Sequence, residues 1–329
     1  KGNIMNIKKI GLTALAGSLV ATSVFAGEMA VTGNAGISFG GNDKGTSGNG
    51  FSMTDEIFFN GSGEMDNGWT VAVNMQLDNN AQAATGNNMD NRSVKITMPD
   101  MGVFTFSGHG GDSALSKVDD VMPTAYGETW DVLGTNGGAV ELSAITGGTS
   151  NNMMSYTNSD LMDGLSITAS YTPSGTGEVE SSTSFAAAYT GVEGLTVGYA
   201  QGEDNAVGTT GNIDLDTAYI KYAIGSVTAG YQVSNNDSSD SSVLDDEFTA
   251  YGITYAVSDN LSIGYGESTY DDGDLTTDQE TSSINFSYTM GSMTLGGAMI
   301  DQSNRGGSTN AIDDVKGYGL DLSLSLIHI

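Results

Sequence analysis

The sequence predicts an all-β fold, a 16-stranded antiparallel transmembrane β-barrel, on three observations. Apolar residues recur at every second position over segments of about 8–11 residues, the length a tilted strand needs to cross the hydrocarbon of a bilayer. The connections between these segments alternate between short turns and long polar loops. Aromatic residues gather near both ends of the segments, where the two membrane–water interfaces would lie. A soluble β-sandwich has no reason to sort its loops by side.

Composition fits this reading and excludes others. The 329 residues include 40 Asp+Glu against 10 Lys+Arg, a formal charge of -30, which argues against nucleic acid as a partner because phosphate affinity comes from cationic side chains. The absence of cysteine excludes a disulfide framework, a thiolate zinc site and a cysteine nucleophile. With 14 Tyr, 10 Phe and 2 Trp, the chain is no disordered acidic tail. A barrel needs apolar residues at only every second strand position, so a 38% hydrophobic chain can still face lipid.

Met5 reads as the start, with residues 1–4 upstream of it. Lys8 and Lys9 precede an apolar and small-residue run from Ile10 to Val24, and Val24-Phe25-Ala26 offers a cleavage site ahead of Gly27. Residues 1–26 are therefore expected to be a signal peptide, too short and interrupted for a spanning helix. Residues 27–329 then carry 7 basic and 40 acidic side chains, a net of -33.

Sixteen strands are expected at 27–39, 53–65, 69–78, 91–98, 102–108, 152–158, 164–172, 182–190, 194–202, 214–224, 226–234, 246–256, 260–268, 280–290, 292–300 and 315–325. Trp69, Val71, Val73, Met75 and Leu77 show the alternation, as do Ile284, Phe286, Tyr288 and Met290. Short turns include Asp66-Asn67-Gly68, Ser159 to Asp163, Gly225 and Gly291, several with residues that tolerate positive φ. The long connections are rich in Gly, Asn, Asp, Ser and Thr, and the third, 109–151, is the longest. Trp69, Tyr156, Tyr189, Tyr222, Tyr255 and Tyr288 fall near the short-turn ends, and Tyr171, Tyr199, Tyr231 and Tyr265 near the long-loop ends. All ten share the apolar parity, which predicts two lipid-facing girdles. Pro99, Pro123 and Pro173 all fall in turns or loops, as a continuous ladder requires.

The signal peptide, the first strand Met29-Ala30-Val31-Thr32-Gly33-Asn34-Ala35-Gly36-Ile37-Ser38-Phe39, and Glu64-Met65-Asp66-Asn67-Gly68 turning into Trp69 carry a family likeness. The chain resembles the general diffusion porins of Gram-negative bacteria, specifically the Rhodobacter-type porins of alphaproteobacteria. That resemblance implies an outer-membrane channel, a homotrimer, and a third long loop, here 109–151, folded inward to narrow the pore. Such porins end in an aromatic residue, whereas this chain ends Leu324-Ser325-Leu326-Ile327-His328-Ile329, so the last residues are expected to be a sequence artefact.

Strand parity places Lys95, Lys221, Glu56, Glu64 and Tyr219 on the inner face. Arg92 has outward parity at the long-loop end of its strand, from which it could reach headgroups or bend into the pore. The third loop carries Asp112, Asp119, Asp120, Glu128 and Asp131 with one base, Lys117. The expectation is a constriction in which these loop acids face a basic wall of Lys95, Lys221 and Arg92, with a preference for cations. Each acid could equally be a solvated loop residue.

No cofactor is expected. Asp271, Asp272 and Asp274 could hold Ca²⁺ weakly or bridge lipopolysaccharide through it, but the spacing departs from an EF-hand. Gly111-Asp112-Ser113-Ala114-Leu115 is superficially similar to the Gly-Asp-Ser-Leu block of an esterase family, yet only His109 and His328 could serve as base, so no enzyme is expected. The functional expectation is a passive, water-filled channel for ions and small hydrophilic solutes, set among outer-membrane lipid and lipopolysaccharide. The alternatives are a secreted or surface-attached acidic β-rich structural or adhesive protein binding Ca²⁺, and a substrate-specific channel. The latter calls for a lumenal aromatic slide, and inner parity supplies few aromatics beyond Tyr219 and Phe58.

Overall fold

A computed structural model describes residues 28–44, 50–78, 89–118, 121–129, 151–174, 181–204, 213–238, 245–273, 275–307, 309 and 314–326. The expected signal peptide and the last three residues lie outside the described residues. The strands are β1 (Glu28–Asn42), β2 (Phe51–Glu64), β3 (Thr70–Asp78), β4 (Met89–Met98), β5 (Gly102–His109), β6 (Met153–Met162), β7 (Leu165–Thr172) and β8 (Ser182–Tyr189). They continue as β9 (Leu195–Asp204), β10 (Ile213–Ile224), β11 (Val227–Ser238), β12 (Asp246–Ala256), β13 (Leu261–Asp271), β14 (Gln279–Met290), β15 (Met293–Ser303) and β16 (Val315–Leu326). Every neighbouring pair is antiparallel, and β1 pairs with β16, so the sheet closes as a sixteen-stranded barrel with no free edge.

All sixteen expected strands are present, and the differences have local causes. Several strands outrun their apolar alternation at the long-loop end: β11 continues through Asn235, Asn236 and Asp237 to Ser238. Alternation reports contact with lipid, whereas the hydrogen-bonded ladder extends wherever a neighbour continues. The connection after β6 is shorter than Ser159 to Asp163, because β6 runs on to Met162 through an irregularity between Asn158 and Met162 and turns at Asp163-Gly164. Gly225 and Gly291 each open a two-residue turn with φ of 59° and 63°, the left-handed conformation such hairpins need and a β-carbon disfavours.

The ladder registers assign the two faces. Tyr222 pairs with Leu195 and Ala229, Tyr255 with Val227 and Ile263, and Tyr288 with Leu261 and Leu295, all on the outer face near the short turns. Tyr231 meets Tyr251 in the upper girdle, and Phe39 packs against Phe51 and Tyr318 with ring centroids 4.7 Å and 5.7 Å apart. On the same outward face, Tyr251 and Tyr265 both donate hydrogen bonds to the carboxylate of Glu267. Nearer the loop rim, Lys316 and Asp301 form an exposed ion pair at 2.5 Å.

Candidate functional site

The chain that leaves β5 turns into the barrel. Gly110 N donates to Asn151 Oδ1 at 3.4 Å, tying the two feet of the third loop together across 41 positions. Ala114 N is shared between Ser170 Oγ of β7 at 3.1 Å and Ser184 Oγ of β8 at 3.0 Å, and these hydroxyls meet each other at 2.5 Å. Leu115, Val118 and Met122 are then buried against Ala186, Ala200, Leu215, Tyr219, Phe248 and Ala250, the inward residues of β8, β9, β10 and β12. Ala125 N donates to Asn285 Oδ1 of β14 at 2.8 Å. The chain turns at Thr124–Gly127, closed by the Thr124 hydroxyl on the Gly127 carbonyl at 2.7 Å, and Thr129 Oγ1 donates to Ser268 Oγ of β13 at 2.9 Å. Only a segment inside the barrel meets the inward residues of β7 to β15 in this way.

Glycines on the inner face make the seat. A β-carbon on Gly230 would stand 2.6 Å from Pro123 Cδ, and one on Gly252 would overlap the Pro123 carbonyl oxygen. A β-carbon on Gly264 would stand 3.0 Å from Ala125 N, and one on Gly296 would overlap the Tyr126 ring. These glycines, with the inward aromatics Phe248 and Tyr270, escape sequence reasoning. Small residues are what an inner face carries anyway, and the available signal is their recurrence on successive strands.

Of the expected basic wall, Lys95 faces inward on β4, paired with Ala72 and Thr105, and Lys221 faces inward on β10 with its Nζ 5.6 Å from the Tyr219 ring centre. Arg92 does not join them. It pairs with Met75 on the outer side, and the ladder to β5 shifts between Arg92 and Ser93. Asp112 lies in electrostatic reach of Lys117, and Glu128 in reach of Lys221. Asp119, Asp120 and Asp131 lie outside the described residues. Glu56 faces inward on β2, where its Oε2 accepts a hydrogen bond from Asn34 Nδ2 at 2.8 Å. An inward acid that goes unnoticed in sequence is Asp321 of β16, the ladder partner of Gly296, which sits beside Tyr126 at the turn of the loop. Its signal was available, a carboxylate at inner parity between Leu320 and Leu322.

Lys117 reaches back from the loop to Thr157 Oγ1 of β6 at 3.4 Å. Although it faces lumenal water, the barrel encloses it, and desolvation pushes its pKa below 10.5. Asp112 opposes this shift and the Lys95 ammonium adds to it. Lys117 therefore loses its charge at a lower pH than an ordinary lysine. Cation preference is expected to rise as pH is raised from neutral toward that range, and Lys117→Met should flatten the rise. Reversal potentials across the pH series check this; identical curves for the two proteins would refute it.

Asp271 ends β13 and Asp272 follows it, while Asp274 lies outside the described residues. Among the described residues, no three His, Asp or Glu side chains gather as a metal site. Ser113 belongs to a turn, where its Oγ accepts from Ser116 N at 3.0 Å.

A closed sixteen-stranded barrel with aromatic girdles outside, a polar interior and a loop folded across its lumen defines a β-barrel channel protein of the outer membrane. The chain belongs to the Gram-negative porin family, whose model matches residues 11–324. Solved structures agree in fold. The outer membrane protein OmpT of Vibrio cholerae superposes with a TM-score of 0.67 at 14% identity, covering 92% of this chain and 98% of that one. The anion-selective porin from Comamonas acidovorans gives 0.67 at 13% identity, covering 92% and 100%. A multiple mutant of Rh. blastica porin gives 0.63 at 14% identity, covering 91% and 100%. No curated protein matches the chain in sequence. Family and fold point to a channel rather than an enzyme, and they do not favour the adhesive alternative.

Proposed function

We propose that this porin is a passive, water-filled channel for ions and small hydrophilic solutes, that it prefers cations, and that three copies associate in the outer membrane amid lipid and lipopolysaccharide. The observation that carries the reading is the described part of the third loop, which is seated inside the barrel against inward residues of β7 to β14 and narrows it. A fold-mate described as anion-selective means that this architecture leaves the sign of selectivity to the side chains. Here acids outnumber bases 40 to 10, which supports cation preference. Of the inward aromatics, Tyr219 and Phe248 are buried under the loop and so are withdrawn from any aromatic slide for one particular substrate.

Reversal potential in a KCl gradient across a planar bilayer tests the selectivity, with a sign favouring K⁺ expected; preference for chloride would overturn it. An SDS-resistant, heat-modifiable oligomer is the expected signature of the trimer.

A further inference from the structure

We propose that, among the described acids, the acidic pole of the aperture is formed by Glu56 and Asp321 on the barrel wall, and not by Asp112 and Glu128 on the third loop. The inference rests on the channel reading above and assigns the residues that set its charge preference.

The path of the loop decides which wall solutes meet. Among the described residues the loop's contacts run from β6 to β15, and none of its hydrogen bonds is made with the arc of β16 and β1 to β4. This arc is lined by amides bonded across the ladder: Asn74 Nδ2 donates to Asn60 Oδ1 at 2.6 Å, and Asn91 Nδ2 to Gln76 Oε1 at 2.6 Å. Glu56 and Asp321 stand in the same arc. A β-carbon on Gly36 of β1 would lie 3.6 Å from Asp321 Oδ1 on one side and 2.6 Å from Thr54 Oγ1 on the other, and Glu56 is the next inward residue after Thr54. Tyr126 touches Gly296 beside Asp321, which sets this acid level with the turn of the loop.

Compensation separates the two sets of acids. Asp112 has Lys117 as its electrostatic neighbour and Glu128 has Lys221, so each of these loop acids has a base within reach to oppose its charge. Glu56 has an amide on one side and another acid, Asp78, as its ladder partner on the other. Asp321 has Tyr126. Among the described residues, neither Glu56 nor Asp321 takes part in an ion pair. Charges that are not cancelled locally act on ions over about a Debye length, ~10 Å at 0.1 M salt. In the sixteen-membered ring, β2 and β10 are eight strands apart, so Glu56 stands across the lumen from Lys221. Lys95 on β4, Lys117 against β6 and Lys221 on β10 mark the basic side. The field of the described charges therefore runs from this lysine side to the β16–β2 wall, opposite in sense to an acidic loop facing a basic wall.

The test compares two charge-neutralising, near-isosteric double variants by reversal potential in a KCl gradient: Glu56→Gln with Asp321→Asn, and Asp112→Asn with Glu128→Gln. The wall pair is expected to cut the K⁺ to Cl⁻ permeability ratio at least twofold, and the loop pair to change it less than half as much on a logarithmic scale. An equal or larger effect of the loop pair overturns the proposal. The sign of the parent's own potential tests the cation-preference reading separately, because the comparison between the two pairs holds whichever ion the parent prefers. Should the wall pair fail to insert, the cysteine-free chain permits Asp321→Cys alone. Labelling its thiol with an anionic methanethiosulfonate should restore parental selectivity, and a cationic one should drive it further toward chloride. Indifference to the label's charge would refute the assignment.

Discussion

Replacing Gly252 by leucine will push the third loop off its seat, lower the single-channel conductance and raise open-channel noise. A β-carbon at this position overlaps the Pro123 carbonyl oxygen, a backbone atom that cannot swing aside as a side-chain tip could. Behind Gly252 stands the closed ladder of β11, β12 and β13, so the loop can give way only toward the lumen. Inward movement on the order of 1 Å in a narrow aperture should remove roughly a third of the conductance. The ladder is untouched, so heat-modifiable migration should stay parental. Unchanged conductance and noise in a correctly inserted variant would show that Pro123 is not held where the structure has it.

Phe248→Ala should loosen the loop with little effect on the barrel. Phe248 is fully buried beneath Leu115, Val118 and Met122, on an inner face that would otherwise meet water. Truncating a buried phenylalanine costs about 3–5 kcal/mol, and here the loss falls on docking of the loop, because the hydrogen bonds from β12 to its neighbours involve none of the ring. Limited proteolysis should cut at Lys117 many times faster in the variant, while the thermal transition of the barrel moves little. A barrel transition lowered together with loop protection would mean that loop and barrel unfold as one unit, and the separation argued here would fail.

These effects hinge on residues whose importance only the fold makes visible. Alternation is written into each strand by the need to face lipid, so Ile284, Phe286, Tyr288 and Met290 disclose their strand and its outer face at once. The turn at Gly225 is equally local, a matter of one residue's tolerance for positive φ. The path of the third loop is not local. It is held by Ala125 on Asn285 and Thr129 on Ser268, contacts between residues 160 and 139 positions apart. Everything that depends on that path was therefore hidden in the sequence: the recess at Gly252 and the burial of Phe248. Arg92 illustrates a smaller limit, since parity left it free to bend inward and the pairing with Met75 decides its side.

The carboxylate that Tyr251 and Tyr265 hold on the outside of the barrel bears on how the protein sits in its bilayer. On β13 the outward apolar stretch runs from Leu261 through Ile263 to Tyr265 and stops at Glu267. Five residues of strand span roughly 16 Å at about 3.3 Å each, and less in height once tilted, against an apolar band of ~25 Å in barrels of this kind. The outward apolar height of β13 is therefore below that band, and the carboxylate of Glu267 marks the level at which this strand stops offering a surface to acyl chains and starts offering one to headgroups.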